Sequence, residues 1–297
     1  MRRNPFATDQ GLLTEEEMSY IETKVLETFR YELVARKIFP VRQIGQGGGA
    51  KLYRHYTETD PSEAQISMSG KGQSDDTPLK THHDINIPVI HKEFELNWRD
   101  VASSRREGPS VLDDSIRVAT RKVAEAEDRL LLSGECDTWA ALGLEGLFTA
   151  TGRTDNAALA NWPAGALADI NVGRAALQAS GFVGIEPILI GPPALVKCLD
   201  GQVANTESTW RSFLLKNNIV SDIIESSNAY ASDCGQDSVV LVVPGEGNFW
   251  AVQDLPLEVN LWYDKTKNVY GTVRETIAPV IGRPAAIAEI NSITCAA

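Results

Sequence analysis

The sequence predicts an α+β fold, and three observations lead there. Two segments carry apolar residues at helical spacing, one after Thr14 and one after Ser110. A long polar tract bounded by alternating segments lies between them. From Ala166 onward, short helical patterns give way to a run of strands. The chain has 297 residues, against roughly 150 for a typical domain, so it holds one large domain or two smaller ones.

Taken in order, Thr14-Glu15-Glu16-Glu17 is a capping box, in which a hydroxyl and a carboxylate satisfy reciprocal orphan amides. Met18, Ile21, Val25, Phe29 and Leu33 then recur every three or four residues, a stripe running to about Arg36. The stripe either packs on its own domain or docks a partner. Gly45-Gln46-Gly47-Gly48-Gly49 is a flexible break. The tract from Tyr53 to about His83 is rich in Ser, Thr, Asp, Gly and Lys, between the alternating segments Lys51–Tyr56 and Ile85–Ile90. That pattern predicts an extended hairpin with too few apolar residues to bury a face of its own. It is a mobile loop or an arm lying on neighbouring subunits.

A second helix is predicted from near Ser110, with Asp113 and Asp114 favoured by the macrodipole in its first turn and Gly134 as its stop. Leu112, Ile116, Ala119, Val123, Ala126 and Leu130 form its buried side, and Glu125 and Arg129 an i,i+4 pair on the wet side. Beyond it the pattern predicts a helix over Ala166–Ala179, a strand over Pro187–Ile190, a helix over Ala194–Leu199 and a polar loop over Asp200–Thr209. Strands are predicted at Val239–Val243, Asn248–Gln253, Leu257–Trp262 and Thr272–Ala278.

The 28 Lys and Arg against 40 Asp and Glu give a net charge of -12, unlike a phosphate-binding surface. Sequence-specific nucleic-acid binding is not expected. Apolar runs such as Val239–Val243 fall far short of the roughly 20 residues that cross a bilayer, and no hydrophobic signal follows Met1-Arg2-Arg3. A soluble cytosolic product without membrane contact is therefore expected. Cys136, Cys198, Cys234 and Cys295 form no C-x-x-C pair and read as buried or incidental thiols, with a disulfide left open.

Catalytic constellations are missing at the level of motifs. Gly45–Lys51 lacks the Gly-Lys-Ser/Thr ending of a phosphate loop and reads as a hinge. His82, His83, Asp84 and His91 do not converge on a metal, because strand alternation sends His82 and His83 to opposite faces. All four histidines fall before residue 92, and the acid pairs Asp75-Asp76 and Asp113-Asp114 read as solvated charge and helix N-terminal charge. An oligomeric cytosolic enzyme is the remote alternative.

Three segments carry a resemblance: LTEEEMSYIETKVLETFRYELVARKIFPV (Leu13–Val41), IPVIHKEFELNWRDVASSRREGPSVLDDSIRVATRKVAEAEDRLLLSGE (Ile87–Glu135) and YGTVRETIAPVIGRPAAIAEI (Tyr270–Ile290). In order and spacing they resemble the shell-protein superfamily shared by tailed-phage major capsid proteins and encapsulins. The resemblance implies a tailed-phage capsid-like fold. Residues 1–50 would form an N-terminal arm and helix and residues 51–92 an extended hairpin arm. Residues 93–148 with 261–297 would form a peripheral domain holding the long spine helix, and residues 149–260 an axial domain. It also implies a structural, self-assembling homo-oligomer, in pentamers of an icosahedral shell with hexamers left open, and no catalytic, metal or cofactor site.

By the same likeness Ile21, Val25, Phe29, Leu33 and Arg36 are the candidate interior, cargo-docking face. Asp200, Asn205 and Glu207 would lie on a loop near a pore, and Lys71 and Lys80 on the inter-subunit arm, where some phage shells crosslink. Pro40 stands where encapsulins often carry an acidic residue, and Trp98 is out of register with the tryptophan that binds flavin in some of them, so no flavin is expected. The stretch Phe94–Asp113 and the opening AKLYRHY resemble phage proteins more closely. The expectation therefore ranks a genome-enclosing major capsid protein, in a virion assembled in the host cytoplasm, above an encapsulin enclosing cargo enzymes in a cytoplasmic nanocompartment.

Overall fold

The computed structural model describes residues 25, 34–45, 47–58, 68, 79–99, 110–134, 142–203, 207–229, 235–263 and 268–295. The first half runs through a 3-10 turn (Ala35–Lys37), β1 (Val41–Gln43), β2 (Leu52–Glu58), β3 (Lys80–Asn86), β4 (Val89–Leu96) and α1 (Ser110–Ser133). The second half contains β5 (Thr154–Ala157), α2 (Ala166–Ala179), β6 (Ile188–Gly191), α3 (Pro193–Cys198), α4 (Trp210–Lys216), β7 (Asp222–Glu225), β8 (Val239–Val242), β9 (Phe249–Tyr263), β10 (Val269–Ile281) and β11 (Ile287–Asn291). The predicted capping box at Thr14 and the stripe residues Met18, Ile21, Phe29 and Leu33 lie outside the described residues.

Helix α1 follows its periodic pattern. Ile116, Ala119, Val123, Ala124 and Leu130 to Leu132 are buried, while Arg117, Val118, Arg121 and Lys122 face outward. Each large aliphatic on that stripe contributes about 1.5–3 kcal/mol by leaving water. The expected Glu125–Arg129 pair gives way to bonds from Arg121 Nε (2.9 Å) and Lys122 Nζ (2.6 Å) to the Glu125 carboxylate. The helix stops at Gly134, whose φ of +52° and close approach to the Gly146 amide, 2.3 Å from where a Cβ would stand, both require glycine.

α1 lies against a sheet of order β1-β9-β10-β4. In β4 the inward residues Ile90, Phe94 and Leu96 meet the helix, and Val89, His91, Glu93 and Glu95 point away. The segment read as one strand over Ile85–Ile90 is two. Ile87 and Pro88 interrupt it, β3 turning to β2 and β4 to β10. Conversely, the two strands expected at 248–253 and 257–262 are one, because Pro256 sits in a register shift opposite Glu275, where the ladder needs no donor.

A second sheet of order β5-β11-β8-β6-β7 carries α2, α3 and α4 around its own core, with Trp162, Ile170, Leu189, Val239, Leu241 and Ile290 fully buried. β8 is buried along its whole length, which explains its unbroken Val-Val-Leu-Val run. β9 belongs to the first sheet, and β11 lies in the second between β5 and β8. The cysteines expected to be incidental thiols include a bonded pair: Cys198 and Cys295, with Cα atoms 6.1 Å apart, form a disulfide.

Candidate functional site

Three regions bear on the residues singled out from the sequence. The first is the seat of the N-terminal segment. Asp128 on α1 caps the 3-10 turn, accepting from the amides of Val34 (3.0 Å) and Ala35 (2.9 Å). Arg36 then reaches inward. Its Nε donates to Glu127 at 2.7 Å, and its Nη2 contacts Glu275 on β10, to which Gln253 also donates. Both glutamate side chains are wholly buried.

Burial raises the Glu127 carboxyl well above its ordinary range, Glu275 raises it further, and Arg36 opposes the rise. Burial likewise raises Glu275 against the pull of Arg36. Burial opposes the charge on the guanidinium, but the two glutamates outweigh it and raise Arg36. The two desolvated carboxyls thus share the Arg36 guanidinium as a counter-charge, which favours their ionised forms while burial opposes them.

Arg36 is therefore committed to holding the N-terminal segment on α1 and β10. Val25 is 2% exposed within the main core. Of the five candidate docking residues, the two described ones, Val25 and Arg36, contact the chain's own interior. Ile21, Phe29 and Leu33 lie outside the described residues.

The second region is the loop after α3. Asp200 and Glu207 are exposed, and Asn205 lies outside the described residues. The loop is closed at its base by a bridge between Gln202 and Thr209 and by Val203 N donating to the Ser208 carbonyl at 2.9 Å. Thr209 caps α4, accepting from Ser212 N. Arg211 stands behind, 2.6 Å from Glu225 and 4.0 Å from Asp200. The disulfide fastens the tail around Cys295 to the foot of this loop.

The third region is the β2–β3 ribbon. It pairs from Leu52 with Asn86 to Glu58 with Lys80, and Arg54 and Asp84 form a two-bond ion pair (2.6 and 2.8 Å) on its outer face. That pairing raises Arg54 and lowers Asp84 from their ordinary values. Lys80 is exposed where the ribbon leaves the described residues, and Lys71 lies outside them. Among the described residues, the ribbon meets the body at its root, where Tyr53, Ile85 and Ile87 join Trp250, Val252, Ala278 and Val280 in a small apolar cluster and Asn86 Nδ2 donates to the Leu142 carbonyl at 3.3 Å. His82 and His83 project to opposite faces, and among the described residues no metal-binding cluster forms.

Residues 5–278 match the model of the family described as "Encapsulating protein for peroxidase". The chain belongs to this family. The encapsulating proteins are structural shell proteins and not enzymes. Over 186 residues the chain is 28% identical to the type 1 encapsulin shell protein EncA of Myxococcus xanthus, and the match spans 61% of each protein's length. The fold is shared more widely. A virus-like particle protein of Pyrococcus furiosus superposes with a TM-score of 0.64 at 17% identity, over 92% of this chain and 98% of that one. The capsid protein of the myovirus XM1 superposes with a TM-score of 0.65 at 12% identity, over 86% and 90%. The tailed-phage capsid-like α+β fold is thereby established. The expected ranking of phage above encapsulin is reversed, because the sequence family, unlike the fold, distinguishes the branches.

Proposed function

We propose that this chain is the repeating subunit of an encapsulin-type nanocompartment, a closed icosahedral shell in the cytoplasm that encloses cargo proteins. The family match over residues 5–278 carries this reading. In it, residues 51–92 cross to a neighbouring subunit, for which the ribbon's narrow root contact is the physical argument. The loop with Asp200, Asn205 and Glu207 lines a pore at the centre of a pentamer or hexamer. Ile21, Phe29 and Leu33 supply a cargo-docking stripe on the interior wall, with Val25 and Arg36 as the anchors that hold it. The net charge of -12 suits a container whose wall does not pin nucleic acid.

A phage major capsid protein, with Lys71 or Lys80 available for crosslinking, is the second reading, favoured only by the shared fold. The test is electron microscopy and native mass spectrometry of the protein expressed alone, with analysis of the contents. Uniform shells that form unaided and retain a host protein support the compartment. Particles that form only with phage assembly factors and hold DNA support the capsid. Deleting residues 58–81 leaves a folded subunit that no longer closes a shell, and normal shells from that variant would refute the role given to the ribbon.

A further inference from the structure

The root of the β2–β3 ribbon carries a feature that neither the shell fold nor its proposed cargo requires. Among the described residues, Tyr53, His55 and Ile85 of the ribbon and the adjoining Ile87 pack on the body, and Asn86 Nδ2 donates to the Leu142 carbonyl at 3.3 Å. One of them is a histidine, the side chain whose ordinary pKa lies closest to neutral pH. His55 is 9% exposed, its ring edge-on to Trp250 on β9 at 5.9 Å. Across the ribbon it stacks on His83, its register partner, at 5.2 Å and 23°. The His55 Nδ1 atom is buried with no hydrogen-bond partner among the described residues, and so is Trp250 Nε1.

The surrounding charges oppose a proton on His55. From β3 it faces His83, whose Nε2 shares a hydrogen bond with Thr57 Oγ1 at 2.9 Å. From β1 the Arg42 guanidinium lies 4.2 Å over the Trp250 ring. Tyr53 stacks at 6.5 Å on the same strand. The Arg54–Asp84 pair and His82 belong to the opposite face of the ribbon. No carboxylate among the described residues favours the imidazolium, and burial first, then His83, lowers the His55 pKa. A protonated His55 would bring an unmatched N–H and a charge into an apolar contact beside two further cationic or protonatable groups.

We infer that the stacked His55–His83 pair against Trp250 is an acid-sensitive latch, which holds the ribbon root on the body at neutral pH and releases it as the pH falls. The docked state binds fewer protons than the released one. Its stability is therefore complete above the ordinary histidine value of about 6.5 and declines as pH falls below it. For each unit by which docking lowers the His55 pKa, the docked-to-released ratio falls about tenfold in acid. The latch stands on the geometry of the described subunit and is independent of what the shell encloses.

The test is hydrogen exchange with mass spectrometry on the full-length protein at pH 7.5 and 5.5, corrected for the pH dependence of chemical exchange. Wild type is compared with His55→Phe. In wild type, peptides covering β2 and β3 lose protection at pH 5.5, while β8 does not change. In His55→Phe that acid response is absent. Equal protection of β2 and β3 at the two pH values in wild type, or an undiminished acid response in His55→Phe, overturns the inference. Should His55→Phe fail to fold, His83→Asn decides the question. Removing the second imidazole brings His55 closer to its ordinary value, so the response shrinks, and an unchanged response refutes the latch.

Discussion

Replacing Arg36 with Met tests the account of the N-terminal seat most severely. Arg36 is the cation facing both Glu127 and Glu275, whose side chains are entirely buried. Met matches much of its length but leaves both carboxyls desolvated and without a counter-charge. Removing one partner of a buried ionic cluster costs about 3–5 kcal/mol. At about 2–4 °C per kcal/mol for a domain of this size, the midpoint of thermal unfolding should fall by roughly 10 °C.

The sign of the pH dependence is also fixed. Both glutamates have pKa values raised by folding. They therefore favour the fold below the unfolded value near 4.5, and that contribution is lost as pH rises through the folded values. Arg36 opposes the rise at both carboxyls, so Arg36→Met raises them further and its loss should grow as pH rises from 5 toward 8.5. Glu127→Gln removes one of the titrating carboxyls and should cost less, with a flatter pH profile. The assay is fluorescence-monitored melting between pH 5 and 8.5 at fixed protomer concentration, because assembly shifts the apparent midpoint. An Arg36→Met midpoint within 2 °C of wild type, or a loss independent of pH, would refute this account of the Arg36, Glu127 and Glu275 cluster.

Two further substitutions probe the spine helix. Val123→Asp or Ile116→Asp puts a carboxylate at a position 1% or 2% exposed, with a cost of several kcal/mol that should leave the subunit insoluble or unfolded by circular dichroism. Soluble variants with native melting would show that this face is not in the core. Gly134→Ala places a Cβ 2.3 Å from the Gly146 amide at a φ of +52°, so a loss of about 2 kcal/mol or more in chemical denaturation is expected, and an unchanged midpoint would contradict the turn geometry.

Local patterns in the chain were informative where one interaction dominates. The extent of α1 was legible because Ile116, Ala119, Val123 and Leu130 recur at helical spacing, and Gly134 marks its stop. Ala166–Ala179 was legible for the same reason. Proline misled in both directions. At Pro88 it separates strands belonging to different sheets, whereas at Pro256 a register shift absorbs it and the strand continues. Arg36 was legible as a position in a stripe, but not as the partner of residues 91 and 239 positions away. Glu127 and Glu275 carried no sequence signal of their own, since an acid in a helix or strand reads as solvated until its surroundings are known. His55 escaped notice beside His82 and His83 for the same reason.

What the sequence determined by itself is therefore the class of the fold, the long one-sided helix, a hairpin too polar to stand alone, and membership of a shell-protein family. Those features rest on short-range periodicity, composition and segment order, which the linear chain contains. The tertiary structure decided which strands pair, placing β11 beside β5 and β8 and β1 beside β9. It also decided which ionisable groups lose water and which cysteines meet. Burial, like-charge proximity and disulfide geometry depend on distances between residues far apart in the chain, so they arise only when the sheets close over their cores.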